Sequence, residues 1–247
     1  MEYVTMAHKH NNEMIDFYQN KEVQKLLPKY HNPHFDQTGI DIPCRILCVG
    51  GSGQGKTSWL LNFLARTNDT WGHIHVVYKA SETLFEFLEK KIKGKNITFY
   101  TSLGKLPQPN ELGKKDQQQL IVFDDQIAES DKAHQIVKEY MLRGRKVGAG
   151  VSTIYLSQSY FKIPKFCRLQ ATHLILFKLS STRDMQMIMK ESSLGVDKDD
   201  LERIYKDATK HKFNFLKVDL QTADENKKFS HNFTDFYRIE DSDSDED

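Results

Sequence analysis

A glycine-rich turn constrains the fold of this chain more than any other feature. The stretch is "CRILCVGGSGQGKTSWLL", residues 44–61, and its Gly50, Gly55, Lys56 and Thr57 satisfy the pattern G-x-x-x-x-G-K-[ST]. An apolar run of strand-forming residues precedes the glycines, and a helical pattern follows them over residues 57–66. A strand, a tight turn and a helix in this order predict an α/β domain with a phosphate-binding turn.

The chain downstream continues to alternate between strand and helix patterns. We predict helices over residues 81–93 (with Ser81 as N-cap), 130–145, 183–190 and 199–208, and further strands over residues 73–79, 96–100, 118–125, 150–159, 171–179 and 212–220. Strands separated by helices of this length favour a mainly parallel sheet with helices covering both faces. The predicted organisation is a peripheral segment over residues 1–40 with a helix at 12–27, a P-loop domain over 41–220, and a C-terminal extension over 221–247.

Charge is distributed unevenly along the 247 residues. The last eight residues, "EDSDSDED", hold six acids and no base, so they predict a disordered acidic tail. The other 239 residues carry a formal net charge of +7, which suits an anionic partner.

The apolar runs and the cysteines indicate where in the cell the protein is expected. No apolar run approaches eighteen residues, and the first twelve residues are polar, so we expect an intracellular protein that does not span a membrane. Cys44, Cys48 and Cys167 lack metal-site or disulfide spacing and predict buried, reduced thiols.

The glycine-rich turn predicts a site for a nucleoside triphosphate. Its glycines let consecutive backbone N–H groups face the phosphates, and the following helix adds partial positive charge. Lys56 is expected at the β- and γ-phosphates, and the Thr57 hydroxyl at Mg²⁺. The residues expected to surround the nucleotide are Gly50, Gly51, Ser52, Gly53, Gln54, Gly55, Lys56, Thr57 and Ser58.

Two acids follow the apolar strand pattern "LIVF". A P-loop needs a carboxylate at a strand end for its magnesium shell, and Asp124 is the candidate. Asp125 is then placed to polarise an attacking water. Because Asp is one methylene shorter than the Glu common in that role, Glu129 stays open as an alternative base.

The order of these motifs indicates one division of P-loop proteins. At least one strand pattern separates the turn from the two acids, which is typical of the additional-strand, RecA- or FtsK-like type. Members of this division place a polar sensor at the end of the neighbouring strand. Gln158, after "STIYLS", is the candidate to contact the γ-phosphate or orient the water.

Two basic segments complete the candidate site. Arg143 and Arg145 stand at a predicted helix end in "RGRKVGAG", where they either cap the helix or act as an arginine finger in a neighbouring subunit, with Arg145 preferred. Lys162, Lys165 and Arg168 alternate with aromatics in "SYFKIPKFCR". This pattern predicts contacts to a nucleic-acid backbone, or a solvated loop with its aromatics in the core.

These segments together resemble a known family. "VGGSGQGKTS", "LIVFDD", "RGRK" and "STIYLSQSYFKIPKFCR", in this order, resemble the poxvirus-type genome-packaging ATPases of large eukaryotic DNA viruses and virophages, within the FtsK/HerA group. The resemblance implies a homo-oligomeric ring, pentameric or hexameric, that uses ATP and Mg²⁺ to thread double-stranded DNA into a preformed capsid. It also implies a location in the host cytoplasm or the virion, and contacts with capsid or portal-vertex proteins.

Other functions fit parts of the same pattern. Another DNA-dependent ATPase of the same division, such as a helicase or replication protein, is the main alternative. A nucleotide kinase is disfavoured because the acid pair follows an inserted strand. A non-hydrolysing capsid scaffold is disfavoured because it has no use for a water-activating set such as Asp125 and Gln158.

Overall fold

The computed structural model describes residues 15–27, 29–79, 83–91, 96–112, 117–126, 130–192 and 194–238. The predicted N-cap Ser81, the alternative base Glu129 and the acidic tail over residues 240–247 lie outside these ranges.

The described strands form a single sheet. They are β1 (Arg45–Val49), β2 (His73–Val77), β3 (Ile97–Tyr100), β4 (Gln119–Asp124), β5 (Val151–Ser157), β6 (His173–Leu176), β7 (Leu216–Asp219), β8 (Phe229–His231) and β9 (Asp235–Phe236). Their spatial order is β3-β2-β4-β5-β1-β6-β7-β8-β9. Strands β1 to β6 pair in parallel, whereas β7, β8 and β9 add antiparallel strands at one edge. The predicted mainly parallel sheet is confirmed.

Two of the described helices precede β1, and the others lie between strands in the chain. They are α1 (Lys21–Leu26), α2 (Phe35–Thr38), α3 (Lys56–Arg66), α4 (Thr83–Lys91), α5 (Asp131–Arg143), α6 (Lys165–Gln170), α7 (Thr182–Glu191) and α8 (Lys198–Ala208). The single helix predicted over residues 12–27 is wrong within the described part. A 3₁₀ turn, Phe17–Gln19, ends at Asn20. The Asn20 side chain then accepts a hydrogen bond from the Glu22 amide and so caps the N-terminus of α1.

Helices cover both faces of the sheet, as predicted. Side chains alternate along β1, so Leu47 and Val49 pack into one apolar cluster with α5, α6, α7 and α8. Ile46 and Cys48 point the other way, into a second cluster with α3 and α4. Each helix thereby removes an apolar face of the sheet from water, which is the main stabilising contribution to such a fold.

The three cysteines are buried and reduced, as predicted. Cys44 and Cys48 lie in the same cluster because four residues in a strand return to one face. Burial raises the pKa of the Cys44 thiol to about 12 and raises the pKa of Cys48 as well, so both thiols stay neutral.

Strand β5 lies between β1 and β4, so the glycine-rich turn and the acid pair are not on adjacent strands. This arrangement confirms the additional-strand type of P-loop fold. It also places residue 158, which follows β5, between the two motifs at the carboxyl edge of the sheet.

The sheet includes residues beyond 220, since β8 and β9 pair with β7 and with each other. The segment before residue 40 also contacts the sheet. Lys217 Nζ, on β7, donates to the carbonyl oxygens of Thr38 at 2.9 Å and Gly39 at 3.3 Å. The domain limits at 40 and 220 stay predictions. No helix in the described part of the chain combines the length and apolar character needed to cross a membrane.

Candidate nucleotide site

The glycine-rich turn joins β1 to α3 through conformations that glycine tolerates best. Gly53 and Gly55 have φ angles of 69° and 115°, in the left-handed region. Gly50 needs its missing side chain for another reason: a Cβ there would lie 2.5 Å from Phe177 Cβ. The turn therefore packs directly against the loop that follows β6.

Lys56 is the first residue of α3, and its side chain folds back over the turn. Lys56 Nζ donates to the carbonyl oxygens of Gly50 at 2.8 Å and Gly51 at 3.1 Å. The cation therefore lies directly above the turn, beside the positive end of the helix dipole, where phosphate oxygens are favoured.

The two acids stand where β4 ends. Asp125 has a φ of 47°, a left-handed conformation in which Asp is enriched among non-glycine residues, and its amide continues the ladder to Leu156 O at 3.1 Å. Asp125 Oδ2 accepts a hydrogen bond from Gln158 Nε2 at 3.2 Å. Within the described chain, Asp125 Oδ1 is buried without a hydrogen-bond partner, which is typical of functional sites.

One cavity of about 340 Å³ collects most of the predicted site. The predicted residues that line it are Ser52, Gly53, Gly55, Lys56, Thr57, Ser58, Asp124, Asp125 and Gln158. Gly50, Gly51 and Gln54 form the turn behind it, through Gly51 N to Lys178 O and Gln54 N to Gly51 O. The lining combines one amine, two carboxylates, hydroxyls and an amide, which suits a triphosphate and a hard cation.

Two further residues line the cavity that sequence reasoning missed, Leu84 and Phe213. Leu84 belongs to α4, whose pattern predicted only a covering helix. Phe213 lies in the loop between α8 and β7, in the region predicted to be a strand. No motif marks either position, because only the fold brings these segments to the turn.

The donors around Thr57 and Asp124 fit a magnesium ion. Mg²⁺ prefers oxygen ligands and usually keeps waters, with one or two protein carboxylates and substrate phosphates. Thr57 contributes a hydroxyl and Asp124 a carboxylate to the same cavity. Because Thr57 and Asp124 supply only two oxygen ligands, the fit is to a metal shared with phosphate and water.

Arg143 and Arg145 do not reach this cavity. They lie just before β5, at the amino edge of the sheet, and β5 spans seven residues, so roughly 20 Å separates them from the carboxyl edge. Desolvation by burial lowers the pKa of Arg45, at the start of β1, and the nearby Arg145 charge lowers it further. Arg143 pairs with Glu139 at 3.1 Å on the surface of α5.

The basic segment after Gln158 divides into two parts. Lys162 and Lys165 are exposed. Arg168 instead forms an ion pair with Glu191, with Nε–Oε2 at 2.6 Å, and only 8% of its side chain is exposed. The Arg168 guanidinium also donates to the Phe161 and Ile163 carbonyls. These contacts assign Arg168 to holding α6 on α7, and its predicted DNA contact stays a prediction.

Asp184 is a third residue that the sequence did not reveal. It is fully buried in α7, and its Oδ1 accepts from Ser159 Oγ at 2.9 Å and from the Phe161 amide at 2.8 Å. These bonds fix the segment directly after Gln158, so the candidate sensor and the basic segment are anchored to one helix.

Solved structures share this fold. The genome packaging NTPase B204 from Sulfolobus turreted icosahedral virus 2, in complex with AMPPCP, superposes with a TM-score of 0.56 at 18% identity, covering 78% of this chain and 98% of that one. The pCW3 conjugation coupling protein TcpA, in monomer form with ATPγS, has a TM-score of 0.56 at 12% identity, covering 81% and 62%.

Sequence relatives lead to the family. The DNA packaging protein OPG160 of vaccinia virus (strain Copenhagen) is 24% identical over 195 residues, covering 74% of this chain and 71% of its own length. The family described as Poxvirus A32 protein matches residues 33–219, which include the whole cavity. This chain belongs to the Poxvirus A32 protein family.

Proposed function

We propose that this chain is an ATPase that translocates double-stranded DNA and packages a viral genome into a preformed capsid. The observation that carries the ATPase proposal is the hydrogen bond from Gln158 to Asp125 in the cavity that also holds Lys56. A residue that senses phosphate and a residue that activates water are of use only if the nucleotide is hydrolysed.

Each side chain has a role in the proposed reaction. Lys56 neutralises charge on the β- and γ-phosphates, and Gln158 orients a water beside the γ-phosphorus. Asp125 accepts the proton of that water as its oxygen bonds to phosphorus and the bond to the bridging oxygen breaks, releasing ADP and phosphate. Mg²⁺ held by Thr57 and Asp124 would supply charge neutralisation at the phosphates.

The DNA-binding surface in this proposal is the segment after Gln158. Lys162 and Lys165 are exposed there. Asp184 accepts hydrogen bonds from Ser159 and Phe161, which lie between Gln158 and these lysines. Lysines that contact phosphate give affinity without sequence readout, which a motor acting on a whole genome requires.

The position of the arginines supports assembly into a ring. Because Arg145 lies at the opposite edge of its own sheet, a role in hydrolysis requires a neighbouring subunit, as in a closed pentamer or hexamer. The names of the relatives, DNA packaging protein and genome packaging NTPase, favour packaging over the alternative of a helicase or replication protein. Packaging implies work in the host cytoplasm or the virion, beside capsid or portal-vertex proteins.

The test is ATP turnover with and without double-stranded DNA, together with the mass in solution with nucleotide bound. We expect turnover stimulated by double-stranded DNA, and stimulation that falls steeply between about 50 and about 200 mM salt as counterion release weakens. Lys56→Ala should abolish turnover, while Lys90→Ala, an exposed lysine on α4, should not. Stimulation by single strands with unwinding would favour the helicase, and full turnover in Lys56→Ala would contradict the site.

A further inference from the structure

Phe213 holds an unusual position at the edge of the nucleotide cavity. Its φ of 71° lies in the left-handed region, where a bulky aromatic is a genuine outlier. More than half of its surface, 54%, is exposed, although it lines the cavity. Backbone strain at a half-exposed aromatic does not stabilise the fold. Because strained residues cluster at ligand sites, this strain points to a ligand.

The neighbouring Phe215 shows what a structural aromatic does in this loop. Its ring packs against Trp59, Phe177 and Phe233 at centroid distances of 6.5, 5.4 and 5.3 Å, in the second core cluster. Phe213 is two residues away and stands outside that cluster. The core under the turn is therefore filled by Phe215, and Phe213 remains available at the surface.

The ring of Phe213 lies directly against the glycine-rich turn. A Cβ on Gly55 would come within 2.6 Å of Phe213 Cδ1. Asp124 ends β4, and Asp125 and Gln158 directly follow β4 and β5, whereas Phe213 precedes β7, on the other side of β1. The cavity is thus polar where the phosphates are expected and aromatic on its opposite side.

We propose that Phe213 stacks on the nucleobase of the bound nucleoside triphosphate, an inference that rests on the proposed nucleotide site. Aromatic stacking accepts every base because each has a π-face, and it strengthens with ring area. Phe213 therefore makes the site tolerant of base identity, with purine nucleotides bound more tightly than pyrimidine nucleotides.

The test compares ATP with inorganic tripolyphosphate, which has the phosphates but no base. Dissociation constants are measured with Mg²⁺ on the full chain and on Phe213→Gly, since glycine adopts the left-handed conformation without strain. We expect about a tenfold loss of ATP affinity in Phe213→Gly and unchanged tripolyphosphate affinity. Phe213→Trp should retain ATP affinity.

A matched control is Phe87→Ala. Phe87 is 50% exposed, and Lys91 Nζ lies 5.7 Å from the centre of its ring. Phe213 has a similar neighbour, with Lys212 Nζ 5.0 Å from its ring centre. Phe87, however, lines a different cavity. It should change neither constant.

Four outcomes would overturn the inference. Equal losses for both ligands in Phe213→Gly would mean that the ring only shapes the turn. Unchanged ATP affinity with lost DNA stimulation would make it a DNA contact. A wild type that binds ATP no more tightly than tripolyphosphate would overturn the base subsite alone, whereas a wild type that binds neither would overturn the proposed nucleotide site as well.

Discussion

Gln158 Nε2 lies 3.2 Å from Asp125 Oδ2, and the two residues follow neighbouring parallel strands, β5 and β4. The bond joins the candidate sensor to the candidate base, which are 33 residues apart in the sequence. Since each side chain positions the other, a change in the amide is expected to alter the carboxylate that activates water.

Gln158→Ala should lower kcat by about a hundredfold and leave the dissociation constant of ATP nearly unchanged, because the amide acts on the water and the transition state. Steady-state kinetics with a separate binding measurement checks this. Gln221→Ala, an exposed glutamine at a different cavity, serves as the control. An equal rise in KM with kcat intact would assign Gln158 to nucleotide binding.

Asp125→Asn should lower kcat by about 10²- to 10⁴-fold, since the amide cannot accept the proton of the attacking water. Glu129→Gln is the matched rival, because Glu129 is the other candidate base. Single-turnover hydrolysis separates the two: Asp125→Asn should be slow and Glu129→Gln near wild type. The reverse result would move the base to Glu129.

Arg145→Ala should remove DNA-stimulated turnover from homogeneous rings, because its charge is expected to act in a neighbouring site. Rings mixed from Arg145→Ala and Lys56→Ala subunits should recover part of the activity, since each Lys56→Ala subunit donates an arginine to an intact site. Titrating the two variants measures this recovery. Arg143→Ala should have a small effect, because Arg143 pairs with Glu139. Mixtures without recovery would contradict action between subunits.

Arg168 and Lys162 should differ in what their loss changes. Arg168→Ala leaves Glu191 without its partner in a largely buried contact, so it should lower the free energy of unfolding by about 3 kcal/mol. Lys162→Ala should leave stability unchanged and reduce the salt slope of DNA binding by about one. Urea unfolding and DNA titrations at several salt concentrations check both. A stable Arg168→Ala with weakened DNA binding would restore Arg168 as a DNA contact.

The sequence predicted the parts of the site that lie on sheet strands. Asp124, Asp125 and Gln158 follow apolar strand patterns, and the carboxyl ends of parallel strands meet at one edge, so their proximity follows from topology. The glycine-rich turn carries its own local signature. These features are local in sequence or fixed by strand direction.

The rest depends on contacts between distant segments. The pairing of Arg168 with Glu191 spans 23 residues and is set by the packing of α6 on α7, so a basic pattern alone predicted a DNA contact instead. Phe213 reaches the cavity only because α8 returns the chain to the turn. Near the N-terminus, the apolar spacing predicted one continuous helix, but Asn20 caps a new helix in the middle of it.

His75 should make the stability of the fold depend on pH in the mildly acidic range. Its ring is buried on β2, with Nδ1 2.9 Å from Tyr100 Oη and Nε2 3.0 Å from Gln119 Oε1, and burial lowers its pKa to about 4. The unfolded chain has a His pKa near 6.5 and therefore binds more protons between these values. The free energy of unfolding should accordingly fall as pH drops from about 6.5 to about 4, by up to about 3 kcal/mol. Urea unfolding across this range measures the slope, which His75→Gln should flatten and His211→Gln, at an exposed site, should not. An unchanged slope in His75→Gln would contradict this assignment.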